Sequence, residues 1–350
     1  MNYRTYNNLQ SDLDNFLNQY EELWVYTPPE KPIQSRIPQK DRTCRFCKKQ
    51  YPDVEFKHDP HIIPQLLGRN FGVSDYECDD CNNLFSRYEN ALADYLGLVR
   101  TFYAAGKSTI PTFKSPQDSI IARMAETNGD KNGITISNLN HNRFQVDIET
   151  GINTITYTKN SYIPVNVYKS ILKIALTLIP ASQIYSYNMM FDFISNDTND
   201  IAYVQFAKVF SYTTNHRIDN PLCCLFQKKD RNLPRPTHLF KLYFENFVYE
   251  IFIPYYTNDL ALYDTGELSI TYCPPFLPDG ISTSATCDAD FIDFTSTQKK
   301  IGEVGKIIYK VNPEYYKNNY MTDPKTGEKT TFKPEEISKI SIFRIDIKQD

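Results

Sequence analysis

Cys44-Arg45-Phe46-Cys47 and Cys78-Asp79-Asp80-Cys81 are the two stretches that decide how this chain is read. Between them lies His58-Asp59-Pro60-His61-Ile62-Ile63-Pro64-Gln65-Leu66-Leu67-Gly68, and directly behind the second pair stand Asn82 and Asn83. The cysteines form Cys-x2-Cys-x30-Cys-x2-Cys, two pairs joined by a loop of ordinary domain length. Four thiolates at such spacing suit a closed tetrahedral zinc site, and two such pairs seldom arise by chance among eight cysteines. A plain zinc ribbon would satisfy the same spacing. Zinc held this way staples a small module that cannot bury enough apolar surface by itself, so metal binding becomes part of its folding free energy.

The 350 residues suffice for two domains, and 41% apolar with 14% aromatic residues supports packed cores. A net charge of −4 argues against coating nucleic acid by bulk electrostatics, so nucleic-acid binding is expected to be local. Ile171 to Ile179 is the longest apolar stretch, is interrupted by Lys173, and falls far short of the ~20 residues of a membrane span. Met1-Asn2-Tyr3-Arg4 leads into a polar stretch with Asp12 and Asp14 and no apolar leader core, so a cytoplasmic protein is expected. There, thiols stay reduced and serve as ligands or buried apolar groups.

Leu9, Leu13, Phe16, Leu17, Tyr20 and Leu23 predict an amphipathic helix over Asn8 to Trp24, stopped by Thr27-Pro28-Pro29. A second helix is predicted from Cys81, where Leu84, Tyr88, Leu92, Tyr95, Val99 and Phe102 form a stripe ending near Gly106. Period-two alternation then predicts strands at Ile134 to Ser137, Phe144 to Ile148 and Ile152 to Tyr157. A helix over Tyr162 to Ala181, closed by Pro180, separates these from strands at Ile201 to Tyr212, Leu222 to Gln227, Leu239 to Pro254, Leu268 to Tyr272 and Ile307 to Val311. The expected fold is α+β: a helix and Pro-rich linker (1–40), a small zinc-stapled module (41–106), and a larger strand-rich α+β domain (107–350) with an accessory or regulatory role.

The order CxxC, His-Ile-Ile-Pro followed by Leu-Gly, then CxxC-Asn-Asn running into a helix resembles the HNH endonuclease family. The resemblance covers Arg42 to Tyr95, about a sixth of the chain. It implies a ββα-metal fold in which a hairpin and a helix grip a catalytic Mg²⁺ or Mn²⁺, while the four cysteines hold a separate structural zinc. It makes His61 the general base toward the attacking water, a task suited to imidazole. Asn82 becomes a ligand of the catalytic cation through its amide oxygen, and DNA the substrate. Many family members carry an acid or histidine immediately before the base; Pro60 stands there, so Asp59 or His58 takes the place, and Asp59 is named as the ligand. Glu89, two turns beyond Asn82, is a further ligand candidate with a solvated carboxylate as its alternative; Asn83 is an additional one. For His58 the alternative is a surface histidine. The family's middle Asn, which braces the hairpin loop, has Asn70 and Asp75 in range.

Ala105-Gly106-Lys107-Ser108 lacks the upstream glycine and strand of a phosphate-binding loop. Cys223, Cys224, Cys273 and Cys287 lack ligand spacing and read as buried thiols, and His141, His216 and His238 as isolated histidines. The basic run Lys228 to Arg235 reads as a solvated loop, with a phosphate grip as its sharper alternative. Tyr162 to Pro180 resembles a segment of large bacterial HNH proteins, some from phage-defence loci. Expected partners are DNA and, at the accessory domain, a signal ligand or partner protein; a homodimer would explain double-strand cuts, although no heptads support one. The competing class is a non-catalytic zinc module that binds nucleic acid or protein, for which Pro60 is the best argument.

Overall fold

The computed structural model describes residues 5–31, 37–68, 70–104, 110–125, 133–196, 199–276, 287–318, 320–322, 329–331, 333 and 336–342. The fold is α+β. Its helices are α1 (Gln10–Gln19), α2 (Asp79–Leu96), α3 (Leu98–Tyr103), α4 (Pro164–Leu178), α5 (Asn188–Ser195), α6 (Ile201–Val204), α7 (Leu260–Thr265) and α8 (Glu314–Asn318). The strands begin with β1 (Tyr20–Tyr26), β2 (Phe113–Lys114), β3 (Ile121–Met124), β4 (Ile134–Ser137), β5 (Phe144–Val146) and β6 (Ile152–Thr158). They continue with β7 (Lys208–Lys228), β8 (His238–Ile253), β9 (Asp288–Asp293), β10 (Val304–Lys310), β11 (Tyr320–Thr322), β12 (Lys329–Thr331) and β13 (Lys339–Ile342). Among the described residues no helix is long and apolar enough to cross a membrane.

Packing sorts the chain into two compact units that do not follow its linear order: Met1–Leu92 with Ile163–Lys299, and Ala93–Tyr162 with Lys300–Asp350. In the first, β7 is the axis. It pairs antiparallel with β8, while β1 runs beside Cys223–Lys228 and β9 beside Lys208–Thr213. Leu13 and Phe16 of α1 share a core with Tyr20, Phe226, Leu239 and Tyr243. α4 packs on β7, β8 and α5 and is buried on nearly every face. Pro164 opens it, at the helical position that has no N–H to lose.

Three expectations are corrected in this unit. The first helix ends at Gln19, and Tyr20–Tyr26 is a strand: its Tyr, Trp and Val side chains favour a pleated surface, and β7 supplies the ladder. Ile201 starts a short helix instead of a strand, because the Asp200 carboxylate accepts the Ala202 N–H at 2.9 Å, and the strand begins only at Lys208. Leu268 to Tyr272 is loop; the Leu268 and Ser269 N–H groups go to single carbonyls of Leu262 and Pro234 and not to a ladder.

The second unit has two antiparallel sheets, β10-β6-β5 and β13-β4-β3-β2, together with a separate β11-β12 pair. The two larger sheets share a core with Leu98 of α3 that includes Ile120, Ala122, Ile136, Phe144, Ile155 and Tyr157. The helix predicted to run through to Gly106 breaks earlier, at Gly97. Its φ of +52° is left-handed, and a Cβ there would stand 3.3 Å from the Tyr157 ring, so glycine suits both the turn and the close approach. Residues 105–109, with Gly106, lie outside the described residues.

Candidate functional site

The first cysteine pair sits in a tight turn. Thr43 and Gln50 form an antiparallel bridge, the Cys44 N–H donates to Lys49 O at 2.8 Å, and Lys48 takes a positive φ of 64° to return the chain. The second pair straddles the start of α2, where the Asn82 N–H donates to Cys78 O at 2.9 Å. A bond from the Arg45 N–H to Tyr76 O, 2.7 Å, ties the two turns together. All four sulfurs lie within 4.8 Å of one another, and Cys44–Cys81 and Cys47–Cys78 are each 3.7 Å apart. A tetrahedron with Zn–S bonds of ~2.3 Å has edges of ~3.8 Å, so the unbridged thiols already outline the coordination shell of zinc.

Between the pairs the chain makes a hairpin. His61 bridges Val73, the Ile62 N–H donates to Gly72 O (3.0 Å) and the Ser74 N–H to Pro60 O (2.9 Å). Asn70 closes its loop: buried, it donates through its amide to Ile63 O (2.9 Å) and Gly68 O (3.2 Å). Asp75 instead pairs with Arg42 at 3.6 Å. Of the two bracing candidates, Asn70 therefore does the bracing. Gly72 admits Tyr26 against the hairpin, since a Cβ there would fall 1.9 Å from the tyrosine hydroxyl oxygen.

The expected site residues are distributed around this frame. His61 is half-buried on the hairpin, and its Nδ1 is buried with no hydrogen-bond partner among the described residues. Asn82 lies in the first turn of α2, partly exposed, and Asn83 beside it is exposed. Pro60 is buried, whereas Asp59 and His58 are exposed. His58 turns to α2, its Nδ1 3.4 Å from Asp79 Oδ1, and Asp79 also accepts the Lys57 and His58 N–H groups at 3.1 Å. Burial pushes the Asp79 carboxyl up, but those two N–H groups together with the His58 side chain offset it and hold the carboxyl below its usual range. Glu89 is half-buried, and burial pushes its carboxyl up, with Lys173 pulling down and Glu77 adding to the rise. Apart from the four cysteines, no group of three or more His, Cys, Asp or Glu side chains converges at metal-ligand distance among the described residues. A catalytic cation near Asn82 would thus depend on amide and water oxygens as much as on carboxylates.

Four residues escaped the sequence reading. Arg45, inside the first cysteine turn, donates to the Leu176, Thr177 and Ile179 carbonyls and so caps the C-terminus of α4. Lys173 of α4 and Glu77 form a buried ion pair at 3.0 Å, and Lys173 also donates to His61 O at 2.8 Å. Asp79 is the fourth, as the anchor of the segment leading to the hairpin. Only Lys173 left a signal, a charge inside the longest apolar run.

Elsewhere, Cys223, Cys224 and Cys273 are buried, while Cys287 is half-buried. His141 is exposed; His238 is buried against the Tyr187 hydroxyl (2.7 Å), and the side chain of His216 lies outside what is described. The basic run is partly committed to the fold: Lys228 is buried against Asp259 at 2.8 Å, and Lys229 donates to Leu17 O.

Hairpin, helix and the four clustered thiols together make a compact module able to hold one zinc ion. The HNH endonuclease family model matches residues 44–93, from the first cysteine into the last third of α2, and the rest of the chain lies outside that match. Neither a search of curated proteins nor one of solved structures finds a match. The family match indicates nuclease-type chemistry on a nucleic acid.

Proposed function

We propose that the protein is a metal-dependent HNH endonuclease that hydrolyses DNA phosphodiester bonds, with residues 41–106 as the nuclease module and the β-rich remainder, 107–350, regulating or targeting it. The observation that carries this reading is the position of His61, bridged to Val73 across the hairpin, within a match that also spans the Asn70-braced loop and the cysteine-anchored start of α2. His61 takes a proton from water as its oxygen bonds to phosphorus and the bond to the 3′ oxygen breaks. Asn82, with Asp59 and Glu89 as further candidates, would hold a Mg²⁺ or Mn²⁺ ion, which when bound neutralises charge developing on the phosphate. The four cysteines hold zinc and take no part in the chemistry. A reducing cytoplasm suits such thiolates, and a place in phage defence rests on the resemblance of Tyr162 to Pro180 alone.

The test is cleavage of duplex DNA by the purified zinc-loaded chain with Mg²⁺, Mn²⁺ or neither. Metal-dependent cutting that falls about 10²- to 10⁴-fold in His61→Ala, with zinc content unchanged, is the expected result; equal cutting by that variant removes His61 from the reaction. Pro60, with Asp59 exposed beside it, favours a second reading, a zinc module that binds without cutting. That reading requires one zinc per chain and no Mn²⁺ binding that Asn82→Ala weakens.

A further inference from the structure

The Lys173 ammonium is buried, reaches 112 positions back along the chain, and has two partners around the hairpin: Glu77 at 3.0 Å and His61 O at 2.8 Å. The peptide group that carries His61 O also carries the Ile62 N–H, which donates to Gly72 O at 3.0 Å. One peptide plane, immediately after His61, is thus held at its oxygen by a charged donor and at its nitrogen by the hairpin. A charge-assisted bond in a dry setting is stronger than a neutral one, and it polarises the peptide so that its N–H becomes a better donor. The lysine tolerates burial because Glu77, next to Cys78, stands against it. In turn Arg45, between the first two cysteines, caps the helix that supplies Lys173.

We propose that Lys173 is a positioning residue of the nuclease site: supplied by α4 from outside residues 44–93, it fixes the peptide plane after His61, so that the His61 strand is set only when α4 is seated against the module. The proposal rests on reading His61 as the general base. It gives the accessory part of the chain a direct means of control, because anything that shifts α4 moves a donor off the His61 carbonyl.

The experiment uses the full-length, zinc-loaded chain. Lys173→Met is paired with Glu77→Gln so that no unpaired charge is left buried, and the same exchange at the buried Lys241–Glu250 pair, Lys241→Met with Glu250→Gln, is the control. In the double variant the Ile62 amide is expected to exchange at least about tenfold faster while β8 amides are unchanged. DNA cleavage is expected to lose roughly 10- to 100-fold in kcat with KM held within about threefold, as a small misplacement of a reacting group requires. The Lys241→Met/Glu250→Gln control should do neither. If the double variant loses its zinc, Lys173→Arg carries the test, since it keeps the charge beside Glu77 but displaces the donor. Unaltered Ile62 exchange and kcat in the Lys173 variants, or the full loss in the Lys241→Met/Glu250→Gln control, overturns the proposal. A parent chain that cuts no DNA overturns the nuclease reading instead, and Ile62 exchange still decides whether Lys173 sets the strand.

Discussion

Between Cys44 and Cys78 the described chain forms nothing longer than a single 3-10 turn and isolated bridges; a few buried side chains, Phe46, Phe56 and Ile63 among them, pack there, and directed polar contacts join them: the four thiols, Asn70, Asp79 and Arg42–Asp75. The core around α4, β7 and β8 in the same unit is the reverse, long elements buried on both faces, with Lys169, Lys173 and Lys241 enclosed among apolar side chains. The difference shows where each region keeps its stability. The first would draw on a zinc ion that the unfolded chain cannot organise, whereas the second depends on area removed from water and holds Lys173 and Lys241 against buried carboxylates.

The strongest way to break this comparison is to remove the zinc. Structural zinc in small modules contributes apparent binding energies of ~10–16 kcal/mol. Chelation, or Cys78→Ser, should therefore abolish exchange protection at Cys44 and Ile62 and leave β7 and β8 amides protected. Uniform loss in both regions, read by hydrogen-exchange mass spectrometry, would show that they are not separately stabilised.

Lys241 provides the matching test of the core. It lies 2.7 Å from Glu250 and also donates to Cys273 O, fully buried. Lys241→Met strands a buried carboxylate and should cost about 3–5 kcal/mol in urea unfolding, much of it recovered by adding Glu250→Gln, with zinc content unchanged throughout. No recovery in the double variant would mean that packing, not the charge pair, is what Lys241 supplies.

The smallest effect expected is a pH dependence confined to the core. Burial, and then the nearby Lys228 charge, lowers the His238 pKa to about 3. The unfolded chain binds this proton near pH 6.5, so the contribution to stability is complete above that value and declines as pH falls toward 3, by roughly 2 kcal/mol at pH 5. His238→Gln should flatten that part of the stability profile. An unchanged slope would assign it to other groups.

Several elements were legible because their signal is local. β4 and β6 lie where period-two sequence alternation put them, and α4 differs from its predicted span by two or three residues at each end. The stretch from Tyr20 to Tyr26 misled because Tyr20 and Leu23 continue a helical spacing, while the partner that makes it a strand lies at Cys223–Lys228. Glu89 read equally well as a ligand or a solvated carboxylate, and what distinguishes its surroundings is burial, with the charge of Lys173 acting on it from another element.

The four-cysteine cluster, the place of His61 between its two pairs and the helical stripe behind Cys81 belong to the sequence alone, because ligand chemistry and helical period act over short spans that a linear pattern records. The choice of Asn70 over Asp75, the capping of α4 by Arg45 and the hold of Lys173 on the His61 peptide belong to the tertiary structure. These side chains are ordinary surface types whose burial is tolerable only once distant partners arrive to satisfy them, and no spacing along a chain records which partner that will be.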